Sequence, residues 1–152
     1  SKTYLLFGAF CGLITDLISF ILSRSVRFDK WTHAHRDNFS HSVFIPIALL
    51  ALSICFDSKM AIMASVAMLT HPFLDLFGIG WGVKLFYPSS NTTYKMFYQG
   101  RILMIWNQGE VDAEAEKNGD DNWIKNTYFK FNVIGAIEWL LAVGFLFLII
   151  VN

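Results

Sequence analysis

Charge is scarce in this chain, and what there is cancels. Asp, Glu, Lys and Arg make up 16% of the 152 residues and the formal net charge is zero, where about a quarter is usual. With no basic tail or basic run, nothing points to a nucleic-acid surface. Cysteine is equally sparse. Cys11 and Cys55 form no C-x-x-C spacing, which removes thiol redox chemistry and cysteine-held metal, and each reads as a small buried hydrophobe. There is no internal repeat and no low-complexity tract. The N-terminal segment has no A-x-A-type cleavage site and is interrupted by Asp16, against a signal peptide.

Apolar residues dominate instead, at 55%. Four apolar segments stand out. Residues 3–23 hold one charge, Asp16, and residues 43–56 hold none. Residues 60–80 hold only His71 and Asp75 as ionisable groups, and residues 133–151 only Glu138. A bilayer span needs roughly 20 apolar residues. Three segments meet that and the second is marginal. The expected fold is therefore all-α: one membrane-embedded helical domain over residues 1–152. It is a bundle of about four transmembrane helices with a long polar loop between the third and fourth.

Ten of the twelve Lys and Arg fall in residues 24–42 and 81–132, leaving Lys2 and Lys59 on the other side. The positive-inside rule then predicts an inner or plasma membrane protein with both termini outside the cytoplasm. Asp57-Ser58-Lys59 reads as a tight helical hairpin with Asp57 or Ser58 as N-cap. Pro72 lies inside the third helix and is expected to kink it. In the polar region, Arg101–Trp106 reads as a short strand or the start of an interfacial helix, and residues 111–122 as a solvated acidic loop. Its aromatic stretches suit the headgroup level.

Against this background two ligand clusters stand out: residues 33–42, His-Ala-His-Arg-Asp-Asn-Phe-Ser-His-Ser, and residues 70–75, Thr-His-Pro-Phe-Leu-Asp. Imidazole and carboxylate groups are costly in apolar surroundings unless something satisfies them, and a cation would satisfy several at once. Asp16 lies about 12 Å inside the first helix, counted from Arg24. His71 and Asp75 share one helix face at i, i+4. With His35 and His41, all these groups point to one side of the membrane. The expected ligands are His35, His41, His71, Asp75 and Asp16. The expected cation is divalent, zinc first and manganese or iron as alternatives. Arg36 would steady an anionic oxygen, Asp16 would also serve as base, and Ser40 and Ser42, which flank His41, would donate to a substrate oxygen or orient a ligand. His33 reads as an interfacial residue. The plainer reading of Asp16 is a helix cap or a partner for Arg24 or Arg27.

The run His35-Arg36-x-x-x-Ser40-His41-Ser42, followed by His71-x-x-x-Asp75, Gly78 and Pro88, resembles the YdjM-like family of membrane-bound, metal-dependent hydrolases. That family shows an H-R-x-x-T-H-S type motif, one residue shorter than here. It also has a P-D-x-D type acidic motif, which Asp16 matches in one acid while Thr15 replaces the proline. The resemblance implies a helical membrane hydrolase. A more distant similarity to zinc phospholipase C and S1/P1-type nucleases implies phosphoester chemistry, with membrane lipid as partner and a phospholipid or other phosphoester as substrate. Two rivals remain: a non-catalytic membrane partner or inhibitor whose cluster is structural or degenerate, and a cation carrier, which the lack of a repeat disfavours.

Overall fold

Helix α1, Lys2–Ser23, hides its small side chains and shows its large ones. Cys11, Thr15 and Ser19 are buried, whereas Leu6, Phe10, Leu13, Leu17 and Ile21 are exposed. A helix that must shed water does the reverse, and small residues at helix contacts with bulky apolar ones outside suit lipid. Its 22 residues span about 33 Å, enough for a hydrocarbon core of about 30 Å. The computed structural model describes residues 2–24, 38–78, 80–119, 122, 125–129 and 133–151.

A short 3-10 turn, Phe39–His41, precedes α2, Phe44–Cys55. Pro46 lies in the first turn of α2, where a missing N–H does no harm. Asp57 then takes φ 48° and turns the chain into α3, Lys59–Asp75, whose N-cap Ser58 accepts from the Ala61 amide. Helix α3 continues through Pro72 to Asp75. A Cβ on Gly8 would meet Met63, one on Gly12 would meet the Ala67 carbonyl, and Asp16 meets His71. Both helices advance four residues per step, so α1 and α3 run parallel and the small residues set a close approach. Helix α2 returns antiparallel against α3, with Ser53 and Ser65 hydroxyls 3.4 Å apart.

Beyond α3 the chain forms an antiparallel hairpin of β1, Thr93–Tyr98, and β2, Arg101–Trp106, with Thr93 opposite Trp106 and Tyr98 opposite Arg101. Gln99 and Gly100 both take positive φ, as a two-residue hairpin turn of the right twist requires. Val83 bridges to Tyr94, which brings the Gly82 backbone against β1. Leu76, Val83 and Leu85 pack with Val43 in one apolar cluster. Trp81, Trp106 and Val111 form a second. Helix α4, Gln108–Asn118, starts at a reciprocal cap in which Asn107 accepts from the Glu110 amide and Glu110 accepts from the Asn107 amide. A π-turn, Lys125–Phe129, leads to α5, Val133–Val151.

The expectation of an all-α bundle of about four transmembrane helices with one long polar loop is corrected on two counts. Among the described residues only α1 is long and apolar enough to cross a membrane. Helix α2 has 12 residues, about 18 Å, because Ser42 and Asp57 bound it. Helix α3 has 17 residues, about 26 Å, and ends at Asp75. The polar region is not a loop either, since it folds into a two-stranded sheet and α4. Cys55 also departs from expectation: it is exposed, while Cys11 is buried.

Candidate metal centre

Three elements deliver four ligand-type side chains to one point. Asp16 comes from α1, two turns before its end, His41 from the 3-10 turn, and His71 and Asp75 from successive turns of α3. Asp16 Oδ1 lies 3.4 Å from His41 Nε2 and 3.3 Å from His71 Nε2. Asp75 Oδ2 lies 3.4 Å and 3.5 Å from the same two nitrogens. Imidazole and carboxylate thus alternate around a closed ring of four atoms, each shielded from solvent. The two imidazole planes meet at 63° with centroids 5.3 Å apart.

The edges of this ring test whether an ion fits. The donor atoms of Asp16, His41 and His71 all lie within 4.8 Å of one another, and Asp75 Oδ2 lies 3.4 Å and 3.5 Å from the two imidazole nitrogens, so the four side chains can converge on one cation. Two carboxylates and two neutral imidazoles also match a doubly charged cation. Electrostatics agrees. Burial pulls the His71 pKa down, but the hydrogen bond with Asp16 and the charges of Asp75 and Asp16 outweigh it, and the net shift is upward. Carboxylates that strengthen an imidazole's hold on a proton attract a divalent cation equally.

Behind the ring lies a layer of hydroxyl and amide groups. His41 is fully buried and its Nδ1 is 3.0 Å from Ser40 Oγ and 3.5 Å from Ser19 Oγ. The Ser40 hydroxyl donates to the Thr15 carbonyl (3.2 Å) and to Asn38 Oδ1, and Asn38 Nδ2 donates to Ser19 Oγ (2.8 Å). Because the Ser40 hydroxyl spends its proton on those acceptors, His41 Nδ1 carries a proton toward it. That leaves the Nε2 lone pair facing the ring, the usual way an outer partner fixes a metal-binding tautomer. The side-chain exposures, 0% for His41, 14% for His71, 22% for Asp75 and 38% for Asp16, mark Asp16 as the side of approach.

Of the residues singled out in the sequence, Asp16, His41, His71 and Asp75 are brought together. His35 and Arg36, like His33, lie outside the described residues. Ser42 is buried, but its hydroxyl donates to the Leu85 carbonyl (3.4 Å) and accepts from the Phe44 amide (3.3 Å), which fixes the start of α2. The sequence reading passed over Thr15, Ser19, Asn38 and Lys95. A signal existed for the first two, since residues 15, 16 and 19 form a polar patch in an otherwise apolar helix. Lys95 is buried on β1 and donates to the Gly78 carbonyl. Burial pushes its pKa down to about 8, against the pull of the Asp75 charge. It gave no signal, because its strand was not assigned.

No curated protein and no solved structure matches the chain. A family model, YdjM inner membrane protein, matches residues 1–151. With the long apolar α1 showing its bulky side chains outward, that match over essentially the whole length makes this a membrane protein, and the chain belongs to the YdjM inner membrane protein family.

Proposed function

We propose that the chain is a metal-dependent hydrolase of the membrane that cleaves a phosphoester, with zinc, or else manganese or iron, held by Asp16, His41, His71 and Asp75. The observation that carries this reading is the closed ring of four donor atoms with edges of 3.3–3.5 Å. A divalent ion there supplies Lewis acidity toward a phosphoryl oxygen and draws the pKa of water toward about 7.

The chain's own residues supply the rest. Asp16, the most exposed of the four, uses Oδ1 in the ring; its second oxygen accepts a proton from the water that attacks phosphorus and returns it to the alkoxide that departs as the ester P–O bond breaks. Arg36 is assigned the anionic oxygens of the substrate on the strength of its place in the sequence, five residues before His41. Its planar fork suits two phosphoryl oxygens at once. Ser42 is assigned to positioning the His41 turn. In this reading α1 runs inward from a non-cytoplasmic N-terminus, as the Lys/Arg asymmetry favours, so the ring lies at the cytoplasmic face. A C-terminus outside the cytoplasm depended on four spans and loses that basis.

The test is phosphate release from phosphatidic acid and 4-nitrophenol release from bis(4-nitrophenyl) phosphate by zinc-loaded protein in detergent. Wild type is expected to turn over at least one, and Arg36→Lys to lose turnover while keeping its metal. A metal-loaded wild type inert toward both would favour the non-catalytic partner instead.

A further inference from the structure

We infer that a groove beside the ring seats the alkyl chain of a phosphate-headed lipid, so that the head lies at His71 and the tail runs back along α1. The inference rests on the proposed phosphoester reading and names the substrate class for it. The groove is a cavity of about 620 Å³ between α1, α3 and α5, within the range of about 300–1,000 Å³ typical of small-molecule sites. Gly8, Ala9 and Gly12 of α1, Met63 of α3 and Leu141 of α5 are among the residues that line it.

Polarity changes along its length in the sense an amphiphile needs. From Tyr4 to Leu13 the lining is apolar, a run of about 14 Å at 1.5 Å per residue. At the other end lies His71, whose Nε2 is one of the four ring atoms. The same imidazole therefore borders both the hydrocarbon slot and the cation-type cluster. The parallel register of α1 and α3 produces this, because the step after Gly8–Met63 and Gly12–Ala67 is Asp16–His71. A detached apolar molecule would leave the polar end unused, and a free phosphate would leave the slot unused. An anionic head on a single chain uses both.

The experiment is photocrosslinking with decyl phosphate carrying a diazirine at the end of its chain, applied to the full-length protein in nanodiscs with and without zinc. Crosslinks are expected to map to residues near Tyr4 and Met63, the apolar end, and inorganic phosphate is expected to compete with the head only when zinc is present. Ala9→Phe and Ala142→Phe fill the groove from opposite walls, so misfolding of one leaves the other informative. Each should abolish most of the crosslinks at Tyr4 and Met63 by blocking the slot, with zinc content unchanged. Crosslinks spread over exposed apolar faces such as Ile102 and Phe97, or yields that neither variant lowers, would overturn the inference. So would a dimer that both variants dissociate and the probe does not, since the groove would then hold a second copy. Crosslinks at Tyr4 and Met63 in protein that takes up no metal would refute the hydrolase reading and leave the groove standing.

Discussion

Ser40→Ala tests whether His41 is held for metal binding or merely packed. The Ser40 hydroxyl is the nearer of the two groups at His41 Nδ1, 3.0 Å against 3.5 Å for Ser19, and it ties the turn to the Thr15 carbonyl. Removing it leaves the Nδ1 proton poorly satisfied in a fully buried ring and frees the imidazole to tilt or to change tautomer. Loss of such an outer partner typically weakens metal affinity by about 10–100-fold, or roughly 1.4–2.7 kcal/mol. The variant also leaves a buried polar group unsatisfied, at about 1–3 kcal/mol of stability. The two effects separate in the assay. Zinc affinity is measured by competition with a chromophoric chelator on protein whose circular dichroism and gel-filtration profile match wild type. Ser40→Thr, which restores the hydroxyl, serves as the rescue. An unchanged zinc affinity in folded Ser40→Ala would refute the argument that this hydroxyl sets the tautomer.

Two further outcomes follow from the scaffold. Gly82 has φ +78°, and a Cβ there would come within 2.0 Å of the Tyr94 carbonyl oxygen, so Gly82→Ala must push β1 away. A loss of several kcal/mol is expected in denaturant unfolding, beyond the roughly 1–3 kcal/mol of backbone strain alone. Lys95 releases its proton near pH 8 when folded, against an ordinary 10.5. Between those values the unfolded chain holds a proton that the folded chain has released, so stability should rise as pH climbs from 8 toward 10.5, by roughly 3 kcal/mol in full. Lys95→Met should remove that slope, and an unaltered slope would contradict the assignment.

The four ring residues were legible because each is ionisable within or beside an apolar run, where such groups stand out against their surroundings. The juxtaposition of Asp16 with His71 was legible in part, since two helices joined through an intervening one run the same way. The layer behind them was legible only at Ser40, whose place beside His41 suggests orienting a ligand; Asn38 and Ser19 are ordinary turn and helix residues until a fold sets them behind an imidazole. The hairpin was half legible. Arg101–Trp106 allowed a strand, but the positive φ of Phe97 interrupts β1 and hid its period. Helix α4 was missed although Asn107-x-x-Glu110 carries the capping signature; the acidic run behind it drew the eye to solvation instead. The count of spans failed because hydropathy measures how apolar a stretch is and not where its helix stops. Ser42, Asp57 and Asp75 set those stops.

The proposed function stands or falls on one divalent cation held by Asp16, His41, His71 and Asp75. Elemental analysis of the purified full-length protein tests it most directly, alongside His71→Ala, Asp75→Asn and the two combined, each checked for wild-type gel filtration. About one zinc, manganese or iron per wild-type chain is expected, with a sharp loss in either single variant and none in the double. Full metal content in a folded His71→Ala/Asp75→Asn double variant, or none in wild type purified without chelator and offered all three metals, would contradict it.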